Sequence, residues 1–517
     1  MIALSMPPVG LYPLAWVALV PLVVRWSIRK PSVDYARELY ALLLTTSCCL
    51  GFWLLFNPNP RLAAVGGASL FLTPLPLTAA FMLAGLVRSR FGLGIGLAAL
   101  VLNILAAELL TLNLGLSVPW LVLGHTQVEA LDFIQIADLG GVLLLSLWVL
   151  LTNTTAFLAV VKTTPAFQMA NTEASSRYGE RGAYAGVFAA LIVLPVVYGS
   201  VRTAQSDVPS GYTRVGIVQP GVPPGEWDRQ DAQARVKDLA GLSDDLLGQW
   251  ASSASDPTGG LTTPPHTSTI GLLIWPQSSL PHMPTQREES RLYQRLADWS
   301  ARRGVSLLAG AILEGAAGHD PESASEAAVL FRPNRAALRY TPMRRIAVMD
   351  PASRTGNERV LLDAAGVEVA TTVGFESVFG DHLRRFTKSG ANLIVVLSRN
   401  DLWGRSSGLS QHMMFTRLRA IESRRTVVVS TVSGVSAMIL PNGRIERATQ
   451  WRDEGAVAIQ APTFRHETFY VRHGDWVGVG ALILAILVNG GALVLASLYP
   501  GLVPRPRRGV PPKAVYG

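Results

Sequence analysis

Four stretches of this chain set polar side chains where an apolar run gives way to a loop. The first is Gly271-Leu-Leu-Ile-Trp275-Pro-Gln277-Ser-Ser-Leu-Pro281, in which a Trp-Pro pair delivers the amide of Gln277. The second, 305–315, is an apolar run that ends in Gly315. The third is Val373-Gly374-Phe375-Glu376. The fourth is Ser398-Arg-Asn400-Asp401-Leu-Trp403-Gly404, followed by Gln411-His412 and by Arg417-Leu-Arg419-Ala420-Ile-Glu422. Loops at the C-terminal edges of strands are where α/β proteins build active sites. Nucleophilic chemistry there would need a nucleophile, a base and a partner for developing negative charge. Ser278, Ser279 and Ser377 supply hydroxyls, but a serine nucleophile needs an adjacent base. Gln277, beside two of them, takes no proton. The only cysteines are Cys48 and Cys49, adjacent inside the apolar run 42–56. They read as small apolar helix residues rather than palmitoylation sites, and two neighbours cannot form a disulfide framework. Residues 204–475 contain no thiol.

The elements that must hold these residues alternate. Short β-branched runs at 214–218, 269–275, 305–313, 367–373, 393–397, 426–432 and 456–459 read as strands. Charged stretches with helical spacing, 288–303 and 411–425, lie between some of them. Alternating strands and helices predict an α/β domain. The Ser/Thr/Pro/Gly-rich segment 251–266 reads as a loop, and so does 315–327. There are no internal repeats and no coiled coil.

The 517 residues average a mean hydropathy of +0.31 with 16% charged residues, against about 25% in ordinary soluble domains. Apolar runs of spanning length fall near 8–24, 38–56, 67–87, 92–113, 139–161, 184–203 and 476–498. Arg25, Arg29, Lys30 and Arg37 follow the first run; Arg88 and Arg90 follow the third. Lys162, Arg177 and Arg181 follow the fifth, and Arg505, Arg507, Arg508 and Lys513 follow the last. If the spans alternate, all four clusters fall on one side, which the positive-inside rule makes cytoplasmic. The net charge of +9 is therefore a matter of topology, and no nucleic-acid partner is expected. The expected organisation is a transmembrane bundle of about six spans over 1–203 and an extracytoplasmic domain over 204–475. A last span at 476–498 and a basic cytoplasmic tail at 499–517 follow. Seven spans put Met1 outside, so either the first span inserts with its N-terminus out or a further span precedes Met1. The opening residues lack the positive region of a secretory signal.

Taken in order, the four motifs resemble the carbon–nitrogen hydrolase (nitrilase) superfamily. The flanking spans point to its apolipoprotein N-acyltransferase branch, a bacterial family. Pro7-Pro8-Val-Gly-Leu-Tyr-Pro-Leu-Ala-Trp, Pro119-Trp120, Val218-Gln219-Pro-Gly-Val-Pro with Trp227-Asp228, and Gly474-Asp-Trp476 are also similar to that branch. The resemblance implies a polytopic α-helical membrane bundle carrying an extracytoplasmic α/β nitrilase-like αββα sandwich in the cell (inner) membrane. It implies a two-step transfer, in which a Cys takes an acyl chain from a phospholipid and the amine of a lipoprotein's N-terminal diacylglyceryl-Cys then accepts it. In the family a Glu is the base and a Lys steadies the oxyanion. Carried over by position, the Glu is Gln277 here, the Lys is Pro342 and the Cys is Gly374. Trp275, Glu376, Asn400, Asp401, Trp403, Gln411 and His412 match the family pattern as pocket or scaffold residues, as do Gly404, Arg417, Arg419, Ala420 and Glu422. Asp350 stands where the family has a Glu. Arg344 or Arg345 could substitute for the missing cation, although such a pair is more often a solvated loop face. Glu376, Arg417, Arg419 and Glu422 are expected to form a buried ion-pair network. The expected function is a catalytically silent homologue that binds membrane phospholipid, lipoproteins or a catalytically intact acyltransferase. An active enzyme with relocated chemistry and a structural membrane anchor are the alternatives. Neither a cofactor nor a metal is expected.

Overall fold

The computed structural model describes residues 1–57, 60–115, 118–161, 178–205, 207–223, 225–254, 269–283, 291–313, 325–346, 355–446 and 448–498. Asp350, the tail 499–517 and most of the segments 251–266 and 315–327 lie outside the described residues.

The first part of the chain is helical: α1 (Ile2–Ser5), α2 (Val20–Ile28), α3 (Val33–Gly51), α4 (Pro60–Leu72), α5 (Leu75–Leu114), α6 (Leu131–Ile134), α7 (Ala137–Val161) and α8 (Tyr178–Ala204). Five stretches are long and apolar enough to cross a membrane: Val33–Phe56, Ala63–Leu114, Ala137–Ala159, Gly182–Ala204 and Trp476–Leu498. Tyr12–Ile28 is a shorter apolar helix. With this apolar helical content, the chain is a membrane protein. A continuous helix over 52 residues would run about 78 Å, far beyond a hydrocarbon core of about 30 Å. The backbone breaks at Gly92, where φ is +84°, and the chain folds back. Asn103 reaches the Ala80 carbonyl, and a β-carbon on Gly96 would overlap Arg88. The fold-back falls between the predicted runs 67–87 and 92–113. Cys48 is half-buried and packs on the bundle core, while Cys49 is exposed.

Twelve strands follow among the described residues: β1 (Gly211–Gln219), β2 (Leu272–Met283), β3 (Ser306–Leu313), β4 (Ser325–Arg332), β5 (Arg335–Tyr340), β6 (Leu362–Ala364), β7 (Val367–Val373), β8 (Leu393–Ser398), β9 (Thr426–Thr431), β10 (Ala437–Ile439), β11 (Ile445–Glu446) and β12 (Gly455–Thr463). They make two six-stranded sheets, ordered β12-β1-β2-β3-β4-β5 and β11-β10-β9-β8-β7-β6. In each sheet the three central strands run parallel, β1-β2-β3 and β7-β8-β9. The period of two sorts β2 cleanly. Leu272 and Ile274 enter the core between the sheets, whereas Leu273 and Trp275 face the helices outside. Those helices are α9 (Ala232–Ala254) and α10 (Arg291–Arg303) on one sheet, and α11 (Gly380–Lys388) and α12 (Ser407–Ser423) on the other. The result is an αββα sandwich. Two loop expectations need correction. Residues 325–327 belong to β4, which pairs with β3 along its length, and 251–254 close α9.

The sandwich and the bundle share one hydrophobic core. Val378, Phe379, Trp403, Phe415, Leu418 and Ile421 of the sandwich pack among Trp53, Trp120, Ile134 and Leu145 of the bundle. After α13 (Phe469–His473), the last helix α14 (Trp476–Leu498) lies along α5, where Asn489 donates to Asn103 at 2.7 Å. At the end of α12, Arg424 takes a left-handed conformation with φ +49°. It does so to reach Asp138 of α7 at 2.7 Å and Gln135 at 2.6 Å. Such a backbone costs a non-glycine residue about 1 kcal/mol or more. The buried ion pair offsets that cost, and removing one partner of such a pair typically costs about 3–5 kcal/mol.

Candidate functional site

The site forms where β2 loses its regular pairing partway along its length and where β7 ends. Trp275 anchors the outer face of β2 through its indole, which donates to Ser243 Oγ at 2.9 Å. Just beyond it the strand loses register with β3, and Ser278 adopts φ +55°. Such an irregularity re-aims side chains. It turns the Gln277 amide toward the end of β7, and Gly310 on β3 leaves room for this backbone, since a β-carbon there would overlap Gln277. At the end of β7, Gly374 sits at φ +62°, a conformation glycine adopts freely. A β-carbon on Gly374 would lie 3.5 Å from both amide atoms of Gln277, in ordinary contact. Residues 277 and 374, nearly a hundred positions apart, thus face each other, both half-buried. The Gln277 amide makes no hydrogen bond among the described residues.

Pro342, which is buried, reaches the same turn through its neighbours. One oxygen of Glu376 accepts from the Tyr340 hydroxyl at 2.6 Å and from the N–H groups of Met343 and Arg344 at 2.7 and 3.1 Å. His382 Nε2 lies 3.0 Å from the same oxygen. Glu376 therefore straps the segment carrying Pro342 against the segment carrying Gly374. It does not join the expected ion-pair network, because three separate sets form instead. Arg419 pairs with Glu422 at 3.1 Å, Arg417 pairs with Glu129 at 3.0 Å, and Glu376 works alone with Tyr340, His382 and backbone. Arg419 and Glu422, three residues apart, share a face of α12, whereas Arg417 lies on the opposite side and meets Glu129 of the bundle.

His412 supports the turn from beneath. Its Nε2 lies 3.3 Å from Ser377 Oγ, within hydrogen-bond reach. Burial pulls its pKa from the ordinary 6.5 down to about 4, so the ring is neutral at neutral pH. Phe375, Trp403, His412 and Trp53 form an aromatic cluster with centroids 5.0–6.1 Å apart. Gln411 accepts from the indoles of Trp53 and Trp120 at 3.1 and 2.9 Å, and donates to the Leu50 carbonyl. Asn400 accepts from Ser398 Oγ at 2.6 Å, and Asp401 is paired with Arg399. Arg344 donates to the Asn113 carbonyl and lies over Phe379. Arg345 is exposed, and its carbonyl approaches Gly115.

Sequence reasoning missed two hydroxyl–base pairs. Ser278 Oγ donates to Glu326 at 2.7 Å, and Ser377 bonds His412 as described. Both serines are fully buried. Glu326 sits in β4, the strand partly read as a loop, so nothing in the sequence placed it beside Ser278.

Residues 1–155 match the apolipoprotein N-acyltransferase N-terminal domain family, and residues 214–464 match the carbon–nitrogen hydrolase family. The apolipoprotein N-acyltransferase of Geobacter metallireducens is 26% identical across 96% of this chain and 93% of its own length. That of Gloeobacter violaceus is 27% identical across 98% and 93%. Among solved structures, Saccharomyces cerevisiae Nit3 covers 50% of this chain and 92% of its own, at 13% identity and a TM-score of 0.40. A Nesterenkonia amidase covers 52% and 95%, at 18% identity and a TM-score of 0.36.

Proposed function

Because the chain belongs to the apolipoprotein N-acyltransferase family of the carbon–nitrogen hydrolase superfamily, we propose that it is a member silent in thioester chemistry, which keeps the fold to bind lipid, a lipoprotein or a partner acyltransferase. One observation carries this reading. At the meeting point of β2 and β7, an amide faces a glycine. Residue 277 has no basic atom to take a proton, residue 374 has no sulfur to hold an acyl group, and Pro342 brings no cation to the strap. Phospholipid and lipoprotein are the ligands the relatives' names and the family resemblance suggest.

Placement follows the charge pattern. The protein sits in the bacterial inner membrane with several passes, and 204–475 lies on the extracytoplasmic side, bounded by the bundle 1–203 and the last span 476–498. Arg25, Arg29, Lys30, Arg37, Arg88 and Arg90 on the opposite side support that orientation. The test is complementation of a strain depleted of its own N-acyltransferase, with mass analysis of a reporter lipoprotein. The expected product stays diacylated, and a triacylated N-terminus overturns the proposal.

The Ser278–Glu326 pair favours a second reading, in which a serine beside residue 277 replaces the thiol. Its hydroxyl is buried and already donates to Glu326, which argues against access to an ester. If triacylated product appears and Ser278→Ala abolishes it, this second reading replaces the first.

A further inference from the structure

A cavity of about 320 Å³ lies at the seam between bundle and sandwich, and neither Gln277 nor Gly374 lines it. Leu112 and Asn113 at the end of α5 and Asp475 just before α14 border it, so two apolar helices stop at its rim. Its other wall is the N-terminus of α11, from Phe379 to His382. No side chain caps that helix, and the free amides of a first turn attract anions.

Four guanidinium groups line the same space, of which Arg385 is taken up by Asp381. Arg344 lies over Phe379 and Arg359 over Phe386, and neither has a carboxylate partner among the described residues. The buried Nε of Arg359 makes no hydrogen bond. Arg419 is 1% exposed, and its Nε is likewise unpartnered although its other nitrogens bond Val378 and Glu422. A β-carbon on Gly380 would overlap Arg419 Nη1, so glycine at the start of α11 is what lets this cation meet the helix end.

Two carboxylates also face the cavity. Asp381 is taken up by Arg384 at 2.7 Å and Arg385 at 2.8 Å. Burial, and then repulsion from Asp381, raises the pKa of Asp475, while the Tyr470 hydroxyl and Arg419 pull it back down. The uncompensated charge is positive.

We infer that this cavity is a binding site for a phosphate group, held by Arg344, Arg359 and Arg419 at the N-terminus of α11. Forked guanidiniums and uncapped amides together match phosphate oxygens. The rim lies where apolar helices end, at the depth of lipid headgroups, so a bilayer phospholipid and free phosphate can each supply the group. The inference does not rest on the silent-triad reading, since the cavity contains neither residue 277 nor residue 374. Triacylation activity would overturn that reading and leave this one standing.

The test uses the full chain in lipid nanodiscs, with hydrogen exchange read at the first-turn amides of α11. One arm compares phosphatidylglycerol discs with discs of an uncharged galactolipid. The other titrates inorganic phosphate into the galactolipid discs. Protection in phosphatidylglycerol alone identifies a lipid headgroup, and protection by inorganic phosphate identifies the free ion. Arg359→Gln and Arg344→Gln, neither of which breaks an ion pair, should each weaken protection about tenfold, the scale of one charge-assisted contact. No protection in either arm, or protection unchanged in both variants, overturns the inference.

Discussion

Gly374 is a position where adding a side chain can be tested directly. Gly374→Cys would cost about 1–2 kcal/mol, because φ +62° disfavours an L-residue, yet its β-carbon has room against Gln277. The double variant Gln277→Glu/Gly374→Cys should react with iodoacetamide with a different pH dependence from Gly374→Cys alone, since a carboxylate would then face the thiol. Identical pH profiles would show that the two side chains do not meet. His412 makes a second prediction at this scale. Its pKa is about 6.5 unfolded and about 4 folded, so the unfolded chain binds the extra proton first as pH falls. The stability from a neutral His412 is complete above pH 6.5 and is lost as pH drops toward 4, by at most about 3 kcal/mol. Denaturation curves across that window should flatten in His412→Asn relative to the unaltered protein. The strand that leads to Gly374 was legible in the apolar run before it. The facing of Gln277 and Gly374 was not, because it depends on the turn at Ser278 and on Gly310, two backbone features without a side-chain signature.

At the scale of elements, α12 is the piece that joins the sandwich to the helical bundle. Its N-terminus needs Gly408, where a β-carbon would approach the Trp53 ring to 2.9 Å. Gly408→Ala should cost about 1–3 kcal/mol by overpacking, with a shift in tryptophan emission as Trp53 moves. Gln411→Leu strips partners from two indoles and the Leu50 carbonyl, each orphan costing about 1–3 kcal/mol. A melting temperature unchanged in Gln411→Leu would contradict the clamp. Periodicity revealed the long strands β1, β3, β7, β8, β9 and β12 and the helix α12, all with strong apolar pattern. It missed β4 and β5, Ala-rich and Arg-containing segments whose single β-branched residue is Val329 and which owe their conformation to pairing, β4 with β3 and β5 with β4. It missed α9 because that helix begins in a polar stretch.

For the whole molecule, the shared core sets what can move. Arg424, Gln135 and Asp138 tie α12 to α7, and Arg202 adds a second contact to Asp138 at 3.2 Å. Arg424→Met should leave Asp138 with Arg202 and the Tyr198 hydroxyl and loosen the seam by a few kcal/mol, read as faster hydrogen exchange in α12. Unchanged exchange would place the seam's strength elsewhere. The apolar runs announced the membrane helices, and Gly92 marked the fold-back between two of them. The seam was hidden, since Phe415, Leu418 and Ile421 look like ordinary helix-core residues whichever surface they meet.

That common core also orders biogenesis. The ribosome completes α7 long before α12, so α12 finds its docking surface already made. The helix α14, which lines up with α5, emerges last. Residues 204–475 on their own would carry Trp403, Phe415 and Leu418 into water with no bundle to meet them, so the sandwich is built to fold against its helices.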